Sequence, residues 1–337
     1  MRTYQYTSIP SQIQSALHLT STPLPTPSPT QHLIRISATS LNPVDYKPAE
    51  SPLFRRFMIP NPAVPGIDFA GTIVLPAKNS DLKVGERVFG CGVSPFAGGC
   101  LAGYAVIGVD SAVRIPEGVS MTEACTVGVA GLTAWQSIVP YIDKNGGRKP
   151  KVLINGGSGG TGVFGIQIAK AVGCEVVTTC SARNVELCRG LGADEVVDYT
   201  GQKDLAGAIE RVVGERKVDH IVDNVMADVG LYWGAHRYSV VGAKYIVVAG
   251  GPNLSHIVNM MKMRLLPGWC GGGKRKVQGF FAKTEVDQLE QIGRWMVEGQ
   301  VKAVVDEKFA FEDAPKAFER LKTGRARGKV VVVVQDL

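Results

Sequence analysis

The segment from Lys151 to Lys170, KVLINGGSGGTGVFGIQIAK, restricts what this chain can fold into more than any other. Val152, Leu153 and Ile154 form a short apolar run, Gly156, Gly157, Gly159, Gly160 and Gly162 follow, and Val163, Phe164, Ile166, Ile168 and Ala169 read as a buried helix. Strand, glycine turn and helix are what a dinucleotide site needs. Gly157, Gly159 and Gly162 complete G-x-G-x-x-G: the first permits the tight turn, the second admits a pyrophosphate against the backbone, and the third lets helix pack on strand. Ser158, Gly159, Gly160, Thr161, Gly162 and Val163 are therefore candidate phosphate contacts, because a helix start presents unbonded N–H groups and the positive end of its dipole. Glycine loops without a ligand are common. What separates this one from them is a second apolar strand, Val176 to Thr179, at the spacing of a βαβ unit.

From Lys151 onward strands and helices alternate, with strands expected at 152–154, 175–179, 195–197, 218–222, 243–248 and 277–281. Such alternation predicts a parallel, doubly wound sheet. The first 120 residues read differently, as short strands separated by Gly and Pro, which predicts a β-rich, barrel-like unit. Asn42 to Lys47 stands at the exit of one of these strands, and Pro48 to Pro65 reads as loop. Ser120-Met121-Thr122-Glu123 is a capping box that begins the crossover to the second unit. After 283 a helix (285–298), an extended stretch, a second helix (315–322) and a strand (329–334) return to the first. The domains expected are 1–126 with 283–337, and 127–282.

At 337 residues two domains are expected, and 45% hydrophobic with 20% charged residues is ordinary for a globular chain. No apolar run approaches the roughly 18 residues of a membrane span. Seven cysteines without a C-x-x-C pair, and no apolar leader before Thr20, point to reduced thiols in a cytoplasmic protein. The net charge of +7 does not imply nucleic acid, because Lys and Arg are dispersed and the one tight run is Lys274-Arg275-Lys276. Solvated surface and attraction for an anionic cofactor account for it.

The segments NPVDYK (42–47), PGIDFAG (65–71), VGERVFG (84–90), AGLTAWQ (130–136), NGGSGGTGVFGIQIAKAVG (155–173), CSARNVELCRGLGADEVVDY (180–199) and GRARGKVVV (324–332) span nearly the whole chain. Together they resemble the medium-chain dehydrogenase/reductase superfamily, in its zinc-independent quinone oxidoreductase and enone reductase branch. The resemblance implies a GroES-like β-rich catalytic domain beside a Rossmann domain, and a homodimer formed by edge pairing at 277–281. Zinc-dependent members carry a Cys at the first-strand exit and a His-Glu pair in the segment matching 65–71. Here those places hold Asn42 and Ile67-Asp68, and only Cys91 and Cys100 fall where a structural zinc lobe would sit, so no metal is expected.

Cofactor choice is read at the end of the second strand. A chain preferring NAD places Asp or Glu there for the ribose 2′-OH, whereas this one has Thr179-Cys180-Ser181-Ala182-Arg183-Asn184. A hydroxyl and a guanidinium suit a 2′-phosphate, so NADPH is expected, with Ser181, Arg183 and Asn184 at the site; the alternative for Arg183 is a solvated helix start. The resemblance adds Tyr199 and Lys329 near that phosphate, and Thr133, Gly250 and Phe281 near the nicotinamide.

The reaction needs a group that stabilises negative charge on oxygen as hydride arrives. Asn42, Tyr46 and Lys47 are the candidates facing the cleft, Asn42 as a cofactor contact and Tyr46 and Lys47 as the catalytic pair. Tyr46 would donate a hydrogen bond or proton, and Lys47 would lower its pKa or bind the oxygen itself; packing against substrate or core is the open alternative for Tyr46. Phe54, Phe57, Met58, Trp135 and Trp269 are candidate lining for an apolar pocket, and the Gly-rich segment 252–275 reads as a mobile loop. The expected activity is NADPH-dependent reduction of an enone, enal or quinone. Two alternatives stand beside it: a trans-enoyl reductase on a carrier- or CoA-bound intermediate, with Arg55, Arg56, Lys262 and Arg264 as a basic entrance, and a non-catalytic NADPH-binding scaffold.

Overall fold

The computed structural model describes residues 1–9, 11–52, 55, 59–92, 99–143, 147–248, 254–266, 270 and 272–335, without the side chains of 254 and 255. The chain divides into two compact units, Met1–Leu132 with Lys283–Leu337, and Thr133–Ala282. The division falls inside a helix, Gly128–Ile138, a few residues beyond the expected crossover.

The first unit contains a two-stranded antiparallel pair, β1 (Arg2–Gln5) and β2 (His18–Ser21). Its main sheet is built around the long strand β3 (Gln31–Leu41), with β4 (Asp68–Leu75), β5 (Arg87–Cys91), β6 (Tyr104–Gly108) and β7 (Ala112–Arg114). β3 serves two neighbours along one edge, pairing β6 through residues 31–35 and the C-terminal strand through 38–41. Alternate residues Ile34 and Ile36 on β3, Phe69 and Ile73 on β4, and Val88 on β5 point into one buried core.

The second unit is a six-stranded sheet of β8 (Lys151–Asn155), β9 (Glu175–Cys180), β10 (Glu195–Asp198), β11 (Val218–Asp223), β12 (Ser239–Val247) and β13 (Lys276–Gly279), in the order 10-9-8-11-12-13. Every pairing in it is parallel. The strands read as continuous apolar runs because both faces are covered. Leu153, Val177 and Ile221 pack into one cluster, while Val152, Ile154, Val176 and Val222 pack into the other. The fold is thus a GroES-like β unit with a Rossmann-type parallel sheet, as expected. The C-terminal return supplies β14 (Val305–Ala310) and β15 (Lys329–Val333), and β15 closes onto residues 38–41 of β3.

Two local expectations need correction. Residues after Asn42 form a helix, Pro43–Glu50, rather than a strand exit and loop: Pro43 occupies its first position and the Asp45 carboxylate accepts from the Asn42 N–H at 2.7 Å, closing the first turn. Within 252–275, residues Leu254–Leu265 are helical, with Met263 turned inward and Ile257, Met261 and Leu265 exposed.

Candidate active site

In the second unit the glycine loop is held from below by the neighbouring strand. Gly157 N donates to Thr179 O at 2.9 Å and Gly156 N to Thr179 Oγ1 at 3.0 Å. A Cβ on Gly157 would lie 2.1 Å from Thr178 Oγ1, and one on Gly162 would lie 2.1 Å from Gly156 O, so a side chain at the first place crowds the loop against β9 and one at the second forces helix and loop apart. Helix Gly160–Ala171 starts without a side-chain cap, and its first helical bond runs from Val163 N to Gly159 O at 3.0 Å. The N–H groups of Gly160, Thr161 and Gly162 precede that bond and have no intrahelical partner. This backbone suits the pyrophosphate of a dinucleotide.

The turn after β9 comes to the same loop. Asn184, 5% exposed, donates from Nδ2 to Ser158 Oγ at 3.0 Å and Ser181 Oγ at 3.2 Å, and its Oδ1 is buried without a protein partner. An orphaned acceptor beside two hydroxyls fits a ribose hydroxyl that donates to it, so the residues present fit a dinucleotide. Arg183 is exposed on this turn, and Tyr199 is tied to its base by a 3.0 Å bond from its N–H to Cys180 O. Ser158 to Val163, Ser181, Arg183, Asn184 and Tyr199 are therefore gathered at one end of one sheet. Thr133 is buried on helix Gly128–Ile138, Phe281 is 88% exposed just beyond β13, and Gly250 lies outside the described residues, as do Phe54, Phe57, Met58, Arg56 and Trp269.

Sequence reasoning missed the polar network beneath the loop. Asn155 at the end of β8 pairs in register with Asp223 at the end of β11 and donates to its Oδ1 at 2.7 Å. Asn155 Oδ1 accepts from Thr179 Oγ1, whose oxygen in turn holds Gly156 N. Asp223 also accepts from Val225 N, Met226 N and the Tyr245 hydroxyl, and burial followed by the Asp223 charge pushes that phenol well above its ordinary pKa. The available signal was a polar residue closing each of two adjacent apolar strands.

In the first unit Asn42 lies in a buried cluster. Its Nδ2 donates to Asp68 Oδ2 at 2.8 Å and Ser40 O at 3.3 Å, while its Oδ1 accepts from Lys329 Nζ. Asp68 Oδ2 also takes Ser40 Oγ at 2.9 Å and Lys329 Nζ at 3.1 Å, and its Oδ1 takes Val129 N at 2.7 Å at the start of helix Gly128–Ile138. Asp68 is 0% and Lys329 2% exposed, so each ion depends on the other; removing one partner of such a pair costs about 3–5 kcal/mol. Lys329, expected beside the 2′-phosphate, is instead engaged here because its strand is interior to the sheet and its ammonium must meet a buried carboxylate. Asp45 stands alongside with one oxygen unpartnered, and burial pushes its carboxyl up to about 7.

Tyr46, on the helix after Asn42, packs against the barrel core with the Lys322 ammonium 5.4 Å from its ring centre. Burial and then the Glu50 charge raise its phenol pKa, whereas burial lowers that of Lys47. These residues do not fit a zinc ion. Among the described residues no three His, Cys, Asp or Glu converge, the Asp68 carboxylate is bound by an ammonium, and burial drives the Cys91 and Cys100 thiols toward the protonated form.

Comparison with known proteins places this geometry. The alcohol dehydrogenase GroES-like domain model matches residues 28–117 and the zinc-binding dehydrogenase model residues 191–332. The trans-enoyl reductase pgmF of Aspergillus terreus (strain NIH 2624 / FGSC A1156) is 42% identical over 351 residues, covering 100% of this chain and 97% of that protein. The chloroplast envelope quinone oxidoreductase homolog of Arabidopsis thaliana is 31% identical and covers 98% of each. Among solved structures, the quinone oxidoreductase from Coxiella burnetii superposes with a TM-score of 0.84 at 26% identity, covering 99% of both chains. A full-length match of this kind sets aside the non-catalytic alternative. The chain belongs to the medium-chain dehydrogenase/reductase superfamily and is an oxidoreductase enzyme that uses a nicotinamide cofactor.

Proposed function

We propose that this enzyme is a zinc-independent, NADPH-dependent reductase that transfers hydride to an enone, enal or quinone. The observation that carries the cofactor assignment is the turn after β9, where Ser181 and Asn184 meet Ser158 of the glycine loop and no carboxylate stands between Thr179 and Asn184. NADPH supplies the hydride when bound. The N–H groups of Gly160 to Gly162 would hold its pyrophosphate, Ser181, Arg183 and Tyr199 would take the 2′-phosphate, and Thr133 and Phe281, with Gly250 by the family resemblance alone, would serve the nicotinamide.

On the substrate side, Tyr46 and Lys47 face the oxygen that gains negative charge. Their opposite pKa shifts favour Lys47 as the proton donor: burial makes its ammonium easier to deprotonate, while the phenol of Tyr46 becomes harder to ionise. Asn42 orients the cofactor or substrate. A second reading, reduction of an enoyl group on a carrier or CoA thioester, is favoured by the 42% identity to a trans-enoyl reductase across the whole chain.

We infer a homodimer through β13, the terminal strand of its sheet, beside the exposed apolar stripe of Ile257, Met261 and Leu265. No helix among the described residues is long and apolar enough to cross a membrane, and a cytoplasmic site is inferred from the seven free cysteines. Loss of NADPH absorbance over enals, enones, quinones and enoyl thioesters tests the reading. Turnover of thioesters alone selects the second one, and no turnover of any class with bound NADPH refutes both.

A further inference from the structure

We propose that Asn184 is a positioning residue for cofactor choice, which turns the hydroxyls of Ser158 and Ser181 into two outward hydrogen-bond donors for a phosphate on the adenosine ribose. The proposal rests on the NADPH reading given above, and all three residues belong to the second unit. Ser158 lies in the glycine loop after β8, and Ser181 directly follows β9. Asn184 Nδ2 has two hydrogens, and Ser158 Oγ at 3.0 Å and Ser181 Oγ at 3.2 Å receive them. The main chain holds the residue as well, because Asn184 N donates to Ser181 O at 2.8 Å. Both hydroxyl oxygens are thus acceptors toward Asn184, and among the described residues neither has an acceptor for its own hydrogen. Reversing the amide would let both serines donate to Oδ1, but would bury two N–H hydrogens with nothing to bond. The orientation present leaves only the carbonyl oxygen Oδ1 without a protein partner, which is the less rare defect.

The consequence is a choice between ligands. A ribose hydroxyl both donates and accepts, whereas an ionised phosphate offers acceptor oxygens. At the end of the second strand, a chain preferring NAD places a carboxylate that accepts from the ribose 2′-OH. This chain presents two donors there instead. Ser158 and Ser181 are half-buried, so a ligand can reach their hydroxyls, while Asn184 stands behind them at 5% exposed. Two hydroxyls bonded to one nitrogen are close enough together to serve one phosphate group. Asn184 Oδ1 is left for a ribose hydroxyl that NADH and NADPH share, so that contact does not discriminate between them.

The test is the ratio of the NADH Kd to the NADPH Kd, measured by fluorescence titration without substrate. Losses common to both cofactors cancel in this ratio, so a general loosening of the turn does not move it. Ser158→Ala with Ser181→Ala is made in the wild type and again beside Asn184→Asp, whose carboxylate has nearly the same shape but can only accept and so draws both hydroxyl hydrogens inward. We expect loss of the two serines to lower the ratio by about tenfold or more in the wild type, and by less than about twofold in the Asn184→Asp background. The direct repulsion between that carboxylate and a phosphate is present with and without the serines, and drops out of the comparison. Asn184→Leu, which adds no charge, is the second variant: there the serines should be worth less than about a third of their wild-type factor. Equal serine factors in the three backgrounds overturn the proposal, as does a wild-type preference for NADPH that survives loss of both serines. A wild-type ratio near one refutes the NADPH reading itself and the proposal with it.

Discussion

Asp45 offers the most direct check on the buried chemistry of the first unit. Its carboxyl is buried among Asn42, Asp68 and Lys329, and burial raises its pKa from 3.8 to about 7. The folded protein therefore holds a proton on Asp45 between roughly pH 4 and 7 that the unfolded chain has released, and stability falls as pH rises through that window. Below it both states are protonated and above it both are ionised, so the slope vanishes at each end. From pH 5 to pH 8 the span below the folded pKa is about two units, which at 1.36 kcal/mol per unit is about 2–3 kcal/mol of lost stability from this one group. Asp45→Asn removes the titration while keeping an oxygen to accept the Asn42 N–H, the 2.7 Å bond that closes the helix start. Urea unfolding of both proteins at pH 5 and pH 8 should show a wild-type loss larger than that of the variant by about 2–3 kcal/mol, with groups common to both cancelling in the difference. Parallel pH profiles would mean that Asp45 is ionised throughout in the folded state, and the account of its burial would be wrong.

Two further outcomes concern the nucleotide unit. Gly162→Ala places a Cβ 2.1 Å from Gly156 O and should weaken NADPH binding more than tenfold in a fluorescence titration, while circular dichroism stays that of a folded protein; a Kd within twofold of wild type would dissociate the loop from the cofactor. Arg183→Asp sets a carboxylate where a 2′-phosphate is proposed, and should move the NADPH-to-NADH ratio of kcat/KM toward NADH by about a hundredfold, one attraction lost and one repulsion gained at about 1.4 kcal/mol each. An unchanged ratio removes Arg183 from the site.

The two units were unequally legible, for a physical reason. A dinucleotide loop is a local object: strand, turn and helix lie within twenty consecutive residues, and strands covered on both faces announce themselves as apolar runs such as Val152 to Ile154. Helix Leu254–Leu265 was hidden because its apolar residues Ile257, Met261 and Leu265 face outward, contrary to the usual pattern, and because glycines follow closely. Helix Pro43–Glu50 was masked by Pro48 within it, although Asn42, Pro43 and Asp45 already spelled a helix start. The cluster around Asn42 belongs to a third kind. Asp68 on a strand buried on both sides demands a cation, yet composition offers 37 Lys and Arg, and the one that answers lies 261 residues away. Periodicity cannot choose among them. The closing of β15 onto β3 does so, because it sets Val330 opposite Leu41 and thereby brings the preceding Lys329 to Asn42, the residue that follows Leu41. The pairing that completes the barrel is thus also what joins the ion pair of its polar centre and orients the Asn42 amide.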